Sequence, residues 1–330
     1  MERNELNPGQ LFKISGSYWQ TCTLHAGVRL EIFTVIGENH ATGEEIARRL
    51  DGDVRGVKML LNALAAMDLL TKEGDRYANT PLSKMFLIKE SPRYIGYILM
   101  HHHHLVPSWS RLHEAVKSGN PVRERAHDDP QRRESFLMGM FNLAMEIAPR
   151  VSSQIDLKGR RHLLDVGAGP GTYAIHFCLA NPDLRATVYD LPTTRPFALQ
   201  IVERFGLSDR IDFMAGNYLD DDIRGTYDVA WLSHILHAED PEDCEGIVRK
   251  VVSALEPGGL ILIHDFILNN TLDGPLFPAL FSLNMLLGTP HGRSYAENEI
   301  MEMLARADVQ EIRRLPFQGP NDSGIIAGQV

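Results

Sequence analysis

Residues 163–171 read Leu-Leu-Asp-Val-Gly-Ala-Gly-Pro-Gly, an apolar run that ends in an acid and then places glycines at 167, 169 and 171. This is the pattern of a strand that turns sharply beneath a ligand. Glycine at these positions permits positive φ and lets the backbone approach a ligand with no Cβ in the way. The segment from Thr172 can begin a helix whose free N–H groups face the same ligand. A dinucleotide fingerprint, GxGxxG, would require glycine at 172, where this chain has threonine.

The loop is therefore GxGxG with Asp165 two residues ahead, the form used for S-adenosylmethionine, whose cationic ammonium and sulfonium suit an acid at the strand tip. The next acid in phase is Asp190, at the end of 184–189 and 19 residues past Gly171 (190 − 171). An acid there, about 20 residues after the loop, accepts hydrogen bonds from ribose hydroxyls.

From Leu163 onward, strand-like and helix-like segments alternate. Strands are expected at 161–166, 185–189, 210–214, 227–233, 259–266, 311–317 and 323–330, with helices between the first five. That pattern implies a doubly wound parallel sheet. Only Gln318 to Asp322 separates the last two strands, so they pair as a hairpin, and a parallel sheet closed this way belongs to methyltransferases rather than dehydrogenases. Ligands sit outside the carboxyl ends of such strands. Asp165, Asp190, Gly216-Asn217-Tyr218 and Ser233 to His237 then share one edge. Asn217 can hydrogen-bond an adenine edge and Tyr218 can stack on it. His237 can act as general base, because an imidazole takes up a proton at neutral pH.

Ahead of this domain, 9–36 is helical and apolar, and Thr42 with Glu45 forms a capping box for the next helix. A second helix spans 54–67, and residues 69–72 and 76–79 flank Glu73-Gly74-Asp75 as a hairpin. Two helices and a hairpin make a winged helix. DNA binding is disfavoured, because residues 1–100 hold 12 basic and 12 acidic residues and the second helix offers only Arg55 and Lys58. Packing or dimerisation is the expected role. Residues 93–155 read as helical, broken near 119–121 and 128–130, and form a connecting lid. There Phe141, Asn142 and Met145 can line an apolar pocket with one polar handle. The run His101 to His104 invites a metal reading, but consecutive helical residues point in different directions and cannot converge on one ion.

The chain has 330 residues, 44% of them hydrophobic, enough for more than one domain. A net charge of −10 argues against nucleic-acid and anionic-membrane partners. Cys22, Cys178 and Cys244 are too scattered for a disulfide framework, and with no leader or long apolar span the expected location is the cytoplasm.

Taken together, DVGAGPG, YDLP, GNYL, LSHILH and ALEPGGLILIHD resemble the S-adenosylmethionine-dependent O-methyltransferases of the caffeic acid and acetylserotonin type, including their bacterial small-molecule members. The resemblance spans nearly the whole chain. It implies a Rossmann-like class I methyltransferase sheet with a C-terminal antiparallel hairpin, preceded by an all-helical and winged-helix dimerisation domain. The implied division is a dimerisation domain at 1–95, a helical linker and substrate lid at 96–155 and an S-adenosylmethionine-binding domain at 156–330. It further implies a homodimer, His237 as proton acceptor, and cofactor contacts from Asp165, Gly167, Gly169, Gly171, Asp190, Leu191, Asn217, Tyr218 and Ser233. Phe141, Asn142, Met145, Asn284 and Met285 would line the acceptor pocket, with no metal. The implied reaction is transfer of a methyl group to a hydroxyl of a small aromatic or polyketide-like acceptor. C- or N-methylation, or a non-catalytic ligand-sensing module, are the alternatives.

The chain departs from the family after the histidine, where Ala238-Glu239 replaces Asp-Trp, and at Asn217 and Ser233, where aspartate and lysine are usual. Ser294 stands where the family has the glutamate that orients the histidine. The expectation is an imidazole lacking its carboxylate, hence a weaker base.

Overall fold

The structure, a computed structural model, describes residues 7–122 and 130–330; Asp128 and Asp129, part of an expected helix break, lie outside them. In the N-terminal part, helices Gly9–Gly16, Tyr18–Arg29 and Ile32–Ile36 lead into strand β1 (His40–Thr42). Thr42 caps the following helix, Gly43–Arg49: its hydroxyl accepts from Glu45 N, while Glu45 Oε2 accepts from Thr42 N at 2.8 Å. Asp53 caps the next helix, Val54–Ala66, by accepting from Gly56 N. The chain then forms β2 (Leu70–Glu73) and β3 (Arg76–Asn79), turning at Gly74 with φ +62°, and the three strands pair in the order β1-β3-β2. This is the winged helix read from the sequence. Ile32, Phe33, Ile46, Leu61 and Leu64 are fully buried and form its core. Truncating one of them to alanine would cost about 2–5 kcal/mol. By contrast Leu11, Phe12, Ile14, Tyr18 and Trp19 stand 59–70% exposed on the first two helices.

The C-terminal part holds β4 (His162–Val166), β5 (Arg185–Asp190), β6 (Ile211–Ala215), β7 (Tyr227–Ser233), β8 (Leu255–Phe266), β9 (Gln310–Arg314) and β10 (Ser323–Gln329). They form one sheet in the order β6-β5-β4-β7-β8-β10-β9, in which the first five are parallel. β10 runs antiparallel between β8 and β9, so the C-terminal pair is the hairpin expected. Central strands covered on both faces need apolar residues throughout. Leu163, Leu164, Val229, Ala230, Trp231, Ile261, Ile263, Ile325 and Ile326 meet that need, each with no exposure.

The chain divides into two units, Met1–His104 with Glu134–Asn142, and Leu105–Arg133 with Leu143–Val330. Helix Pro130–Gln154 thus contributes residues to both. Among the described residues no helix is long and apolar enough to cross a membrane.

Candidate active site

The carboxyl ends of the parallel strands bring Asp165, Asp190, Ser233 and Asp265 to one edge of the sheet. Between β4 and helix Thr172–Ala180, Gly167, Gly169 and Gly171 all take positive φ, +60°, +54° and +76°. A Cβ at Gly167 would lie 2.9 Å from Ile235 Cδ1 and one at Gly171 2.9 Å from Val188 Cγ2, whereas the space beside Gly169 is open. The loop is therefore packed below and free above, a cradle that fits an adenosyl cofactor of the S-adenosylmethionine type.

Asp165 is 1% exposed, and its Oδ2 accepts from Ala174 N at 3.1 Å. Burial pushes its carboxyl up to about 8, so it stays protonated at neutral pH. The acid keeps an Oδ1 that is buried without a hydrogen-bond partner, an acceptor free for the cationic ligand expected there. The same acid ties the strand to the first turn of the helix.

Asp190 ends β5 and accepts from Gly169 N at 2.7 Å, Leu191 N at 2.7 Å and Thr194 Oγ1 at 2.8 Å. Three donors leave part of its acceptor capacity for ribose hydroxyls. Leu191 is 45% exposed beside it. Asn217 donates from Nδ2 to Asp220 and accepts from Leu219 N, which leaves its second N–H for the adenine contact expected of it. Tyr218 lies beside Gly167, and its hydroxyl donates to Glu239 Oε1 at 2.9 Å. Burial raises the Glu239 carboxyl. Ser233 ends β7. Its hydroxyl pairs at 3.0 Å with Nδ1 of the fully buried His264, whose Nε2 lies 3.0 Å from Ser323 Oγ.

His237 occupies a 3₁₀ turn, Leu236–Ala238, pinned by the buried Ile235 and Leu236 and by Cys244 Sγ donating to Leu236 O. Its Nδ1 lies 2.7 Å from Asp265 Oδ1, at the end of β8. Burial opposes ionisation of Asp265, but the His237 imidazole beside it, hydrogen-bonded to it at 2.7 Å, holds the carboxyl far below its ordinary range, so it is ionised. An ionised carboxylate only accepts. Nδ1 must therefore carry the proton, which leaves the Nε2 lone pair of neutral His237 available as a base. The expected lack of an orienting carboxylate is overturned: Asp265 supplies it from the adjacent strand. Ser294 does not, since its buried hydroxyl has no partner and its N–H donates to Ser282 Oγ. His234, also unforeseen, sets its Nδ1 3.5 Å from the same Asp265 oxygen.

Phe281 abuts the His237 ring edge-on at 4.8 Å. It belongs to helix Leu276–Gly288, where Asn284 and Met285 follow at i+3 and i+4 on the same face. These two expected pocket residues therefore sit on the helix that reaches the base. Met145 meets His176 Nε2 through sulfur at 3.4 Å. In the other unit, Phe141 is buried and Asn142 donates to Tyr94 O at 2.8 Å.

A family model described as the O-methyltransferase domain matches residues 109–310, and an O-methyltransferase dimerisation domain matches residues 12–89. The chain is 32% identical over 328 residues, 97% of its length and 95% of the relative's, to the 3-hydroxy-5-methyl-1-naphthoate 3-O-methyltransferase of Streptomyces sahachiroi. It is 28% identical to TcmO, the tetracenomycin polyketide synthesis 8-O-methyl transferase of Streptomyces glaucescens, covering 96% of each chain. The structure of PigF from a Serratia species with SAH superposes with a TM-score of 0.90 at 26% identity, covering 98% of this chain and 100% of that one.

Proposed function

The chain belongs to the O-methyltransferase family, and on that premise we propose that it methylates a hydroxyl of a small aromatic, polyketide-like acceptor with His237 as general base. S-adenosylmethionine is the cofactor. Gly167, Gly169, Gly171 and Asp190 would hold it, with Leu191 and Tyr218 beside them. When bound, it supplies an electrophilic methyl group on a sulfonium. The observation that carries the base assignment is the 2.7 Å contact between His237 Nδ1 and the ionised Asp265. Nε2 would accept the acceptor's hydroxyl proton and so free the oxygen lone pair to take that methyl group, whose bond to sulfur breaks as the sulfonium becomes a neutral thioether. The resulting imidazolium faces the Asp265 carboxylate, which stabilises it, while Phe281 beside the ring limits water. Asn284 and Met285, on the face that carries Phe281, would shape the acceptor pocket.

The three-part division at 1–95, 96–155 and 156–330 belongs to the same reading, with the helical stretch as acceptor lid. Family matches that end at 89 and begin at 109 support a seam there. The five exposed apolar residues between Leu11 and Trp19 support a homodimer interface on the N-terminal unit, since a contiguous apolar surface marks an association site. The three free cysteines fit a reducing, cytoplasmic setting.

Calorimetric titration with S-adenosylhomocysteine tests cofactor binding. Saturable binding by the intact protein that weakens at least ~10-fold in Asp190→Ala is expected from the loss of a ribose-binding acid. No binding to the intact protein overturns the proposal.

A further inference from the structure

His234 follows β7 with φ +58°, a left-handed value that a residue with a Cβ adopts only under strain, and such strain concentrates at functional sites. That turn sets His234 and His237, three residues apart, on two sides of one carboxylate. His237 Nδ1 is 2.7 Å and His234 Nδ1 3.5 Å from the same Asp265 Oδ1. The longer distance does not make a hydrogen bond. His234 Nδ1 is buried and has no hydrogen-bond partner. The three ligand atoms lie within 4.8 Å of one another, and among the described residues this is the one such group of three or more His, Cys, Asp or Glu. Phe266, 4.3 Å from the His234 ring, and Phe281, 4.8 Å from the His237 ring, form an apolar surround.

Two imidazoles and a carboxylate are a ligand set for borderline divalent cations. Bonds of about 2.0–2.2 Å to a tetrahedral zinc separate the ligand atoms by roughly 3.3–3.5 Å. The His234–Asp265 distance already matches, the His237–Asp265 contact need open by less than an ångström, and the two imidazole nitrogens, within 4.8 Å of each other, need close by at most about 1.5 Å.

We propose that His234, His237 and Asp265 form a binding site for a divalent transition-metal cation of the zinc class, and that its occupancy switches off the base. The switch rests on the reading of His237 as base; the site does not. The ion takes the His237 Nδ1 lone pair as the Nδ1 proton moves to Nε2, with no change in net protonation and no redox step. Asp265 Oδ1 keeps the Phe266 N–H bond, 2.8 Å long, and turns its other lone pair to the ion. His234 Nδ1 supplies the third bond, and acceptor or water completes the sphere. With its proton on Nε2, His237 can no longer take one from a hydroxyl.

The test titrates untagged, chelator-treated full chain with zinc chloride by calorimetry, and with cobalt chloride by visible absorption, alongside His234→Phe and His234→Gln. S-adenosylhomocysteine binding by both variants verifies their fold. One zinc per chain is expected at this site, weakened in both variants by more than the roughly 10- to 100-fold typical of losing an outer-shell partner. The ratio of methyl-transfer rates with and without zinc should fall at least 10-fold in the intact protein and stay near one in the variants. Unchanged zinc binding in both variants, meaning an adventitious cation only, overturns the proposal, as does no uptake by the intact chain. Zinc uptake that needs His234 but leaves the rate untouched supports the site and overturns the base reading instead.

Discussion

Replacing Asp265 with asparagine removes a charge from the site while leaving a carbonyl oxygen able to accept from both His237 Nδ1 and Phe266 N, at the 2.7 Å and 2.8 Å contacts now made by one carboxylate oxygen. The tautomer and the ring position are then preserved, and the loss isolates the electrostatic stabilisation of the imidazolium. With charge centres ~4 Å apart and an effective dielectric near 20, that attraction is about 4 kcal/mol. A transition state with the proton half transferred captures about half of it. At 1.36 kcal/mol per decade, kcat/KM should fall between roughly 30- and 1,000-fold. If the new amide instead turns its NH₂ toward Nδ1, the imidazole is held in the wrong tautomer and the loss reaches ~10⁴-fold. The assay follows S-adenosylhomocysteine release over a panel of hydroxynaphthoates, with cofactor affinity measured in parallel. Turnover within threefold of the intact enzyme would refute the reasoning. So would a loss that lies wholly in cofactor affinity.

Asp165→Asn should stabilise the protein at neutral pH. An acid raised on folding to about 8 makes the native state bind the extra proton, so its penalty on folding begins near pH 4, grows with pH and levels off above 8. The variant's unfolding free energy should exceed the parent's at pH 7 by roughly 4 kcal/mol, and the gap should close at pH 4 in calorimetric scans. Gly292→Ala would place a Cβ 2.5 Å from His237 O and 2.7 Å from Ala238 O, backbone atoms that can yield only by moving the catalytic turn. Since a displacement of ~1 Å can cost 10²-fold, kcat should fall at least ~10-fold with cofactor affinity retained, as single-turnover and binding measurements would reveal. Phe12→Asp combined with Trp19→Asp, at side chains exposed by 70% and 68%, should turn the sedimentation profile from dimer to monomer. An unchanged profile would move the interface elsewhere.

The glycine loop, the strands and the winged helix were legible because their signals are local: period, caps and backbone freedom act within a few residues. The acid at 265 was not, although it stands in the same IHD run that marks β8. Its partner is set by the register of two adjacent strands, which pairs Ser233 with His264 and so brings the next residue, Asp265, against the turn that follows β7. The motif position at Ser294 holds no carboxylate, and nothing local to it points to β8. The partners that Asn217 and Ser233 take within the chain were not legible either. Residue type and strand-end position suited cofactor contacts, but a short side chain bonds whichever neighbour the fold supplies, here Asp220 and Leu219 for one and His264 for the other. The left-handed turn at His234 has no glycine to announce it.

The central claim is that the ionised Asp265 makes His237 the base for a hydroxyl acceptor. The most direct test incubates the intact enzyme and His237→Gln with S-adenosylmethionine and a hydroxynaphthoate panel, locates the new methyl group by NMR and compares single-turnover rates. The account predicts methyl on oxygen and a rate at least ~100-fold lower in the variant, with S-adenosylhomocysteine affinity unchanged. Methyl on carbon or nitrogen, or an undiminished rate without the imidazole, would contradict it.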